Sequence, residues 1–358
     1  MIPYVILLIL PVALYPIFKN VRVNGKSIER LPLLFFFAFM TFLVMMRHED
    51  VGNDTRNYIY MFEQISGENW QNILTDPSEI AFRLMEKTIS LFTRDYRVYL
   101  GIVAIIITAL IYPTYTEMCE DTPLTIALYC IMSTFCMMFS GLRQMISIGI
   151  GFIAYRFTKE KKLIPFIIAT IIAIGFHTSA FMLFFMYPVY HARITKKWLF
   201  IVIPVLLIIF AFNRQFFGLL AQVLQTYTRF EVVERSTGAY TMLILFTIFA
   251  VFSFLIPDEA LLDKDIIGMR NLLLLSLIIQ MYTPLNYIAM RMNYYYIIFI
   301  PLLLPKIINR SSVRYREVAK FSRYVMIFFF ISYFFFSATP GGSLHTVPYY
   351  FFWENPSW

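Results

Sequence analysis

The sequence predicts an all-α, polytopic integral membrane protein, and three observations carry that expectation. Hydrophobic residues make up 59% of the 358-residue chain and charged residues only 15%, against roughly 25% charged in soluble domains. Mean hydropathy is +0.67. Apolar runs of near-spanning length recur from end to end, and no polar stretch between them is long enough to bury a core of its own. One integral membrane domain over residues 1–358 is therefore expected, with outer loops at 47–96 and 213–239 and an external tail at 339–358. The net charge of +8 fits basic cytoplasmic loops that set topology. No basic stretch is interleaved with exposed aromatics on a soluble module, so the lipid bilayer, not nucleic acid, is the expected partner.

A span needs about 20 apolar residues, and fewer where a helix ends in a polar cavity. Residues 2–18 and 31–46 are the first two spans. Lys19, Arg22, Lys26 and Arg30 place the loop between them in the cytoplasm and the N-terminus outside. The first eighteen residues carry no basic n-region and no clear cleavage site, so they read as a retained span. Within the outer loop, the stretch 80–92 sets Ile80, Phe82, Leu84, Met85, Ile89 and Phe92 against Glu79, Arg83, Glu86, Lys87 and Ser90. That pattern is an amphipathic helix too short and too charged to span, expected on the membrane surface.

Residues 98–115 return inward and 123–139 go out again, which sets residues 141–144 at the outer surface. The next segment, 145–157, ends in a basic loop of Arg156, Lys159, Lys161 and Lys162. A second basic cluster follows at Arg193, Lys196 and Lys197. If both loops are cytoplasmic, 163–176 and 178–190 form a short helical hairpin with Gly175-Phe176-His177 at its outer tip. A single long helix is the alternative, and it inverts everything after it. Segments 198–212, 240–256, 271–284, 293–304 and 324–338 complete about twelve crossings, and 216–224 is a further surface helix. Most of the 30 Lys and Arg residues then lie inside, and Arg47, Arg143 and Arg291 are left as outer cations abutting spans.

Four outer groups are candidates for chemistry. Arg47-His48-Glu49-Asp50-Val51-Gly52-Asn53-Asp54-Thr55 gathers ionisable groups at a helix mouth; the plain alternative is a hydrated loop. Arg143, followed by Gln144, is the second. An arginine offers a permanently charged fork of donors that grips phosphate without a metal. His177, beside the Gly175 break and Thr178-Ser179, is the third: it is either a proton acceptor or a hydrogen-bonded packing residue. The fourth is Arg291-Met292-Asn293 with Tyr294–Tyr296, as a second cation or an interfacial anchor. The tail from His345 to Glu354, with Tyr349 within it, is too aromatic for a disordered terminus; capping the cavity, stacking on sugar rings and anchoring at the membrane surface all fit.

Absences narrow the chemistry. Cys119, Cys130 and Cys136 are odd in number and lack metal-ligand spacing. Asp263-Lys264-Asp265 is the only Asp-x-Asp triplet, in an expected cytoplasmic loop, and there is no Walker loop. Neither a metal nor another cofactor is expected.

Arg47 through Asp54-Thr55 and Tyr58, Arg143-Gln144 opening a span, the basic loop, Phe176-His177-Thr178-Ser179 and Pro348-Tyr349 together resemble the EpsG family of Wzy-type polysaccharide polymerases. The resemblance implies that undecaprenyl-pyrophosphate-linked oligosaccharides, as donor and acceptor, are joined into O-antigen, capsule or exopolysaccharide. That chemistry would take place at the outer face of the bacterial inner membrane, with a chain-length regulator and a flippase as further partners. It also implies similarity to O-antigen ligases, which act without a metal. On that likeness the catalytic set is His177, Arg143 and Asp54, and the substrate-binding set is Arg47, Arg291, Gln144, Glu49 and Tyr349. The rivals are a lipid-linked oligosaccharide flippase and a membrane O-acyltransferase.

Overall fold

The computed structural model describes residues 1–23, 25–75, 78–132, 134–194, 196–212, 215, 237–255, 263–311, 316–338 and 343–354. The surface helix expected at 216–224 lies outside them. The chain divides into two compact units, Met1–Phe181 with Ser311–Trp358, and Met182–Arg310.

The first unit opens with α1 (Ile2–Phe18) and α2 (Leu31–Met46), joined by a small antiparallel hairpin of β1 (Arg22–Val23) and β2 (Lys26–Ser27). Both helices carry proline in their first turn, where a missing N–H costs nothing and the fixed φ suits the helix. Three short helices follow, α3 (Thr55–Gly67), α4 (Trp70–Thr75) and α5 (Ile80–Ser90), then the long α6 (Tyr96–Met118). Asp95 caps α6 by accepting from the Arg97 N–H at 2.8 Å, the usual role of a short acidic side chain at a helix start. Next come α7 (Thr122–Ile131), α8 (Thr134–Ser140), α9 (Leu142–Lys159) and α10 (Leu163–Phe176).

The second unit contains α11 (Met186–Tyr190), α12 (Lys196–Ala211), α13 (Thr237–Leu255), α14 (Lys264–Gln280), α15 (Tyr287–Ile297) and α16 (Ile300–Ser311). It is threaded by a buried polar chain. Ser276 donates to the Asn293 amide oxygen at 2.7 Å, Asn293 donates to Gln280 at 2.9 Å, and Gln280 donates to the Ala239 carbonyl at 3.0 Å. Inside apolar helices such groups must satisfy one another, since water is not at hand. The last helix, α17 (Arg316–Ser337), belongs to the first unit. There Arg323 forks onto Asp121 at the head of α7.

An all-α membrane protein is what these apolar helices make. Among the described residues, α6 and Ala319–Ser337 are each long and apolar enough to cross a membrane. Two bent pairs, α7 with α8 at 58° and Ile288–Ile297 with α16 at 44°, raise the number to four. The about twelve crossings expected from hydropathy are not reached on helix length, because most of the remaining apolar helices hold only 10–17 residues.

The C-terminal segment is a strap laid back over the loop that follows α2. Phe352 N–H donates to Met46 O at 2.9 Å, and His48 N–H to Tyr350 O at 2.8 Å. Gly52 and Asn53 donate to the His345 and Leu344 carbonyls at 2.9 and 3.0 Å. Beneath the strap, Tyr4, Phe135, Phe139, Phe334 and Tyr349 meet edge to face, the arrangement favoured by ring quadrupoles.

Gly52 is where this loop turns. Its φ is +96°, and an added Cβ would lie 2.7 Å from the Phe139 carbonyl oxygen and 2.9 Å from Thr55 Oγ1. Gly52→Ala is expected to destabilise the protein by about 1–3 kcal/mol. Gly67→Ala, where a Cβ meets nothing within 4 Å, is expected to be neutral; thermal unfolding in detergent separates the two.

Candidate functional site

Helix α5 organises the site, and it is turned differently from the sequence expectation. Phe82 and Ile89 are buried as expected, but so are Glu86 at 0% and Lys87 at 7% exposure, while Phe92 is 84% exposed. The cause is backbone chemistry. Lys87 Nζ donates to the carbonyls of Glu68, Ser66 and Ile65 at 2.7, 3.2 and 3.3 Å, closing the C-terminal end of α3, where unsatisfied carbonyls attract a cation. Glu86 accepts from the Tyr99 hydroxyl at 2.7 Å. Two groups assigned to the solvent face thus become the internal fasteners between α5, α3 and α6.

At the head of α5 stands Glu79, in the left-handed region at φ 50°, ψ 41°. Its Oε2 accepts from Arg143 Nη1. Its Oε1 lies 2.5 Å from His177 Nδ1 and 3.4 Å from the Thr178 N–H. The two side chains singled out from sequence, Arg143 and His177, therefore meet on one carboxylate. Burial by itself would raise the Glu79 carboxyl; the His177 hydrogen bond and the Arg143 charge outweigh it and hold the group below the usual carboxylate range.

Each partner is positioned by a helix end. Arg143 lies in the first turn of α9, and its guanidinium sits 5.6 Å from the Tyr58 ring centre and 6.0 Å from that of Phe82. These aromatic faces hold a cation, Tyr58 also hydrogen-bonds the guanidinium, and Arg143 Nε is buried without a hydrogen-bond partner. His177 follows the last turn of α10 in extended backbone, φ −155°, ψ 124°. Gly175 brings α10 close to α5: a Cβ there would lie 3.1 Å from Ala81 Cβ.

The remaining candidates are distributed around this cluster. Arg47 is fully buried under the strap, 5.8 Å from the Phe139 ring centre. Its Nη1 donates to Val44 O at 3.3 Å, and its Nε and Nη2 have no hydrogen-bond partner. Asp54 is the half-buried residue preceding α3, and its charge acts on Tyr58. Tyr58 also feels both Arg143 and Arg47. Glu49 pairs with exposed Arg56 at 3.5 Å. Gln144 is buried beside Arg143 in the sequence. Tyr349 spends its hydroxyl on the Leu43 carbonyl at 2.9 Å, within the aromatic cluster. Arg291 is exposed on α15, in the other unit.

Sequence reasoning passed over Glu79 as one of several polar residues of a surface helix. Its partners are 64 and 98 residues away, so no local spacing reveals them. The one local signal is a carboxylate immediately before the first apolar residue of an amphipathic run.

The EpsG family model matches residues 30–351 of the chain. No curated protein and no solved structure matches it significantly.

Glu86 makes the site region sensitive to pH. Burial lifts its carboxyl to about 7, against the lowering effects of Tyr99, Arg143 and Arg83 and with Glu79 adding to the rise. A folded state that holds this proton more tightly than the unfolded chain loses stability as pH rises from about 4.5 to about 7, by up to about 1.4 kcal/mol per unit, and no further above that. Glu86→Gln is expected to flatten that slope, raising the melting temperature at pH 8 relative to wild type and leaving it nearly unchanged at pH 4.5.

Proposed function

The chain belongs to the EpsG family, whose members are Wzy-type polymerase-like, and from that membership we propose that it polymerises polyprenyl-pyrophosphate-linked oligosaccharide repeat units at the outer face of a bacterial inner membrane. The family points to a glycosyltransferase of polysaccharide biosynthesis. The observation that carries the finer reading is the convergence of Arg143 and His177 on one half-buried carboxylate.

The chemistry follows from the residues. The non-reducing-end hydroxyl of one lipid-linked unit attacks the anomeric carbon of the growing chain. A new C–O bond forms, the bond to pyrophosphate breaks, and the leaving group keeps the electron pair. Negative charge grows on pyrophosphate as the sugar becomes oxocarbenium-like, so a fixed guanidinium stabilises the transition state more than the ground state. Arg143 is assigned that contact. Arg47, fully buried and within electrostatic reach of Tyr58, adds positive potential from inside. The acceptor proton passes to His177, the group best suited to take it near neutrality. Energy comes from the donor linkage itself.

Purified protein supplied with lipid-linked repeat units tests this reading. Wild type is expected to produce a ladder of polymer. Arg143→Ala is expected to lower turnover by about 10²–10³-fold, and Arg143→Lys to recover only part of it, because an ammonium lacks the planar fork. Wild-type chain lengths from Arg143→Ala would remove the pyrophosphate role. Transbilayer movement without bond formation would favour a flippase, and acyl transfer from a thioester would favour an O-acyltransferase.

A further inference from the structure

We propose that Glu79 is a positioning residue for this reaction: it holds His177 through Nδ1 and so leaves Nε2 as the atom that receives the acceptor hydroxyl's proton. The inference rests on the polymerase reading above and specifies which imidazole nitrogen works and what holds it there.

Three features of the fold converge on this contact. The first is the 2.5 Å approach of Glu79 Oε1 to His177 Nδ1, with the same oxygen 3.4 Å from the Thr178 N–H. A carboxylate accepts but does not donate, so a neutral imidazole facing it carries its proton on Nδ1 and its lone pair on Nε2. The second is the backbone of Glu79. A residue with a Cβ is disfavoured in the left-handed region, and such strain persists where the surroundings over-determine it. Here φ 50°, ψ 41° turns the carboxylate toward α9 and α10 at the head of α5. The third is the bare Gly175 surface, which lets α10 deliver His177 to that carboxylate.

The shared carboxylate also links the two substrates. Before donor binding, Glu79 serves Arg143 through Oε2 and His177 through Oε1. Pyrophosphate, a stronger claimant on the guanidinium, draws Arg143 toward itself, and Glu79 then serves His177 alone. When the hydroxyl oxygen bonds to the anomeric carbon and its proton moves to Nε2, the new imidazolium already faces a carboxylate. No oxidant, metal or further reactant enters the step.

Two measurements on the full-length protein test the inference. In the polymerisation assay, Glu79→Gln keeps the shape but replaces the charged acceptor. It is expected to lower kcat by about 10- to 100-fold, the usual penalty for losing such a supporting contact, with the donor KM changed less than about 3-fold. Glu63→Gln, on an exposed face of α3, is the control and keeps wild-type rates. An unchanged kcat in Glu79→Gln overturns the inference. So does a loss that lies entirely in KM, since Glu79 would then act only on donor binding through Arg143. The second measurement is the ¹⁵N spectrum of histidine-labelled protein, with His177 assigned among the 4 histidines by its disappearance in His177→Gln. Nδ1–H with an Nε2 lone pair is expected in wild type; the opposite tautomer overturns the inference even if Glu79→Gln fails to fold. If wild type makes no polymer the polymerase reading fails by itself, and the tautomer still decides the role of Glu79.

Discussion

A single carboxylate shared by a guanidinium and an imidazole sets the arrangement of the first unit. Moving a charge out of water is costly unless its partners are in place, and Glu79 is only 12% exposed. Arg143 on α9, His177 after α10 and the head of α5 must therefore arrive together. That requirement explains the local irregularities around them: a left-handed glutamate, a glycine at the α10–α5 contact, and an arginine kept over two aromatic rings with one nitrogen unpaired. The left-handed backbone and the unpaired nitrogen are unfavourable by themselves, and both accompany a charge held beside a second charged group.

The rest of the unit supports that cluster through contacts of both backbone and side chains. Lys87 closes the end of α3, Glu86 ties α5 to α6 through Tyr99, and Phe62 stacks on Tyr99 at 4.2 Å. The C-terminal strap then fixes the loop after α2, enclosing Arg47 among Tyr349, Phe139 and Tyr4. Arg47 consequently differs from Arg143 in kind. It is fully buried beneath the aromatic layer, whereas Arg143 is 27% exposed and pairs with Glu79.

Much of this was legible in the sequence because apolar length and charge asymmetry are one-dimensional signals. Helices α1, α2 and α10 begin and end where hydropathy placed them, and His177 stands at the break after α10. The family was legible too, since its short motifs keep their order along the chain, and the match over residues 30–351 bears that out. Less legible was the orientation of α5. Counting polar residues sent Glu86 and Lys87 to solvent, because nothing local tells that α3 needs its carbonyls closed or that Tyr99 offers a hydroxyl.

By itself the sequence determined an apolar, helical chain of the EpsG family and two polar residues, Arg143 and His177, set where an apolar run would exclude idle charge. Only the tertiary structure decided what joins them. Glu79 lies 64 residues before one and 98 before the other, and electrostatic pairing depends on distance in space, to which spacing along the chain is blind until the helices pack.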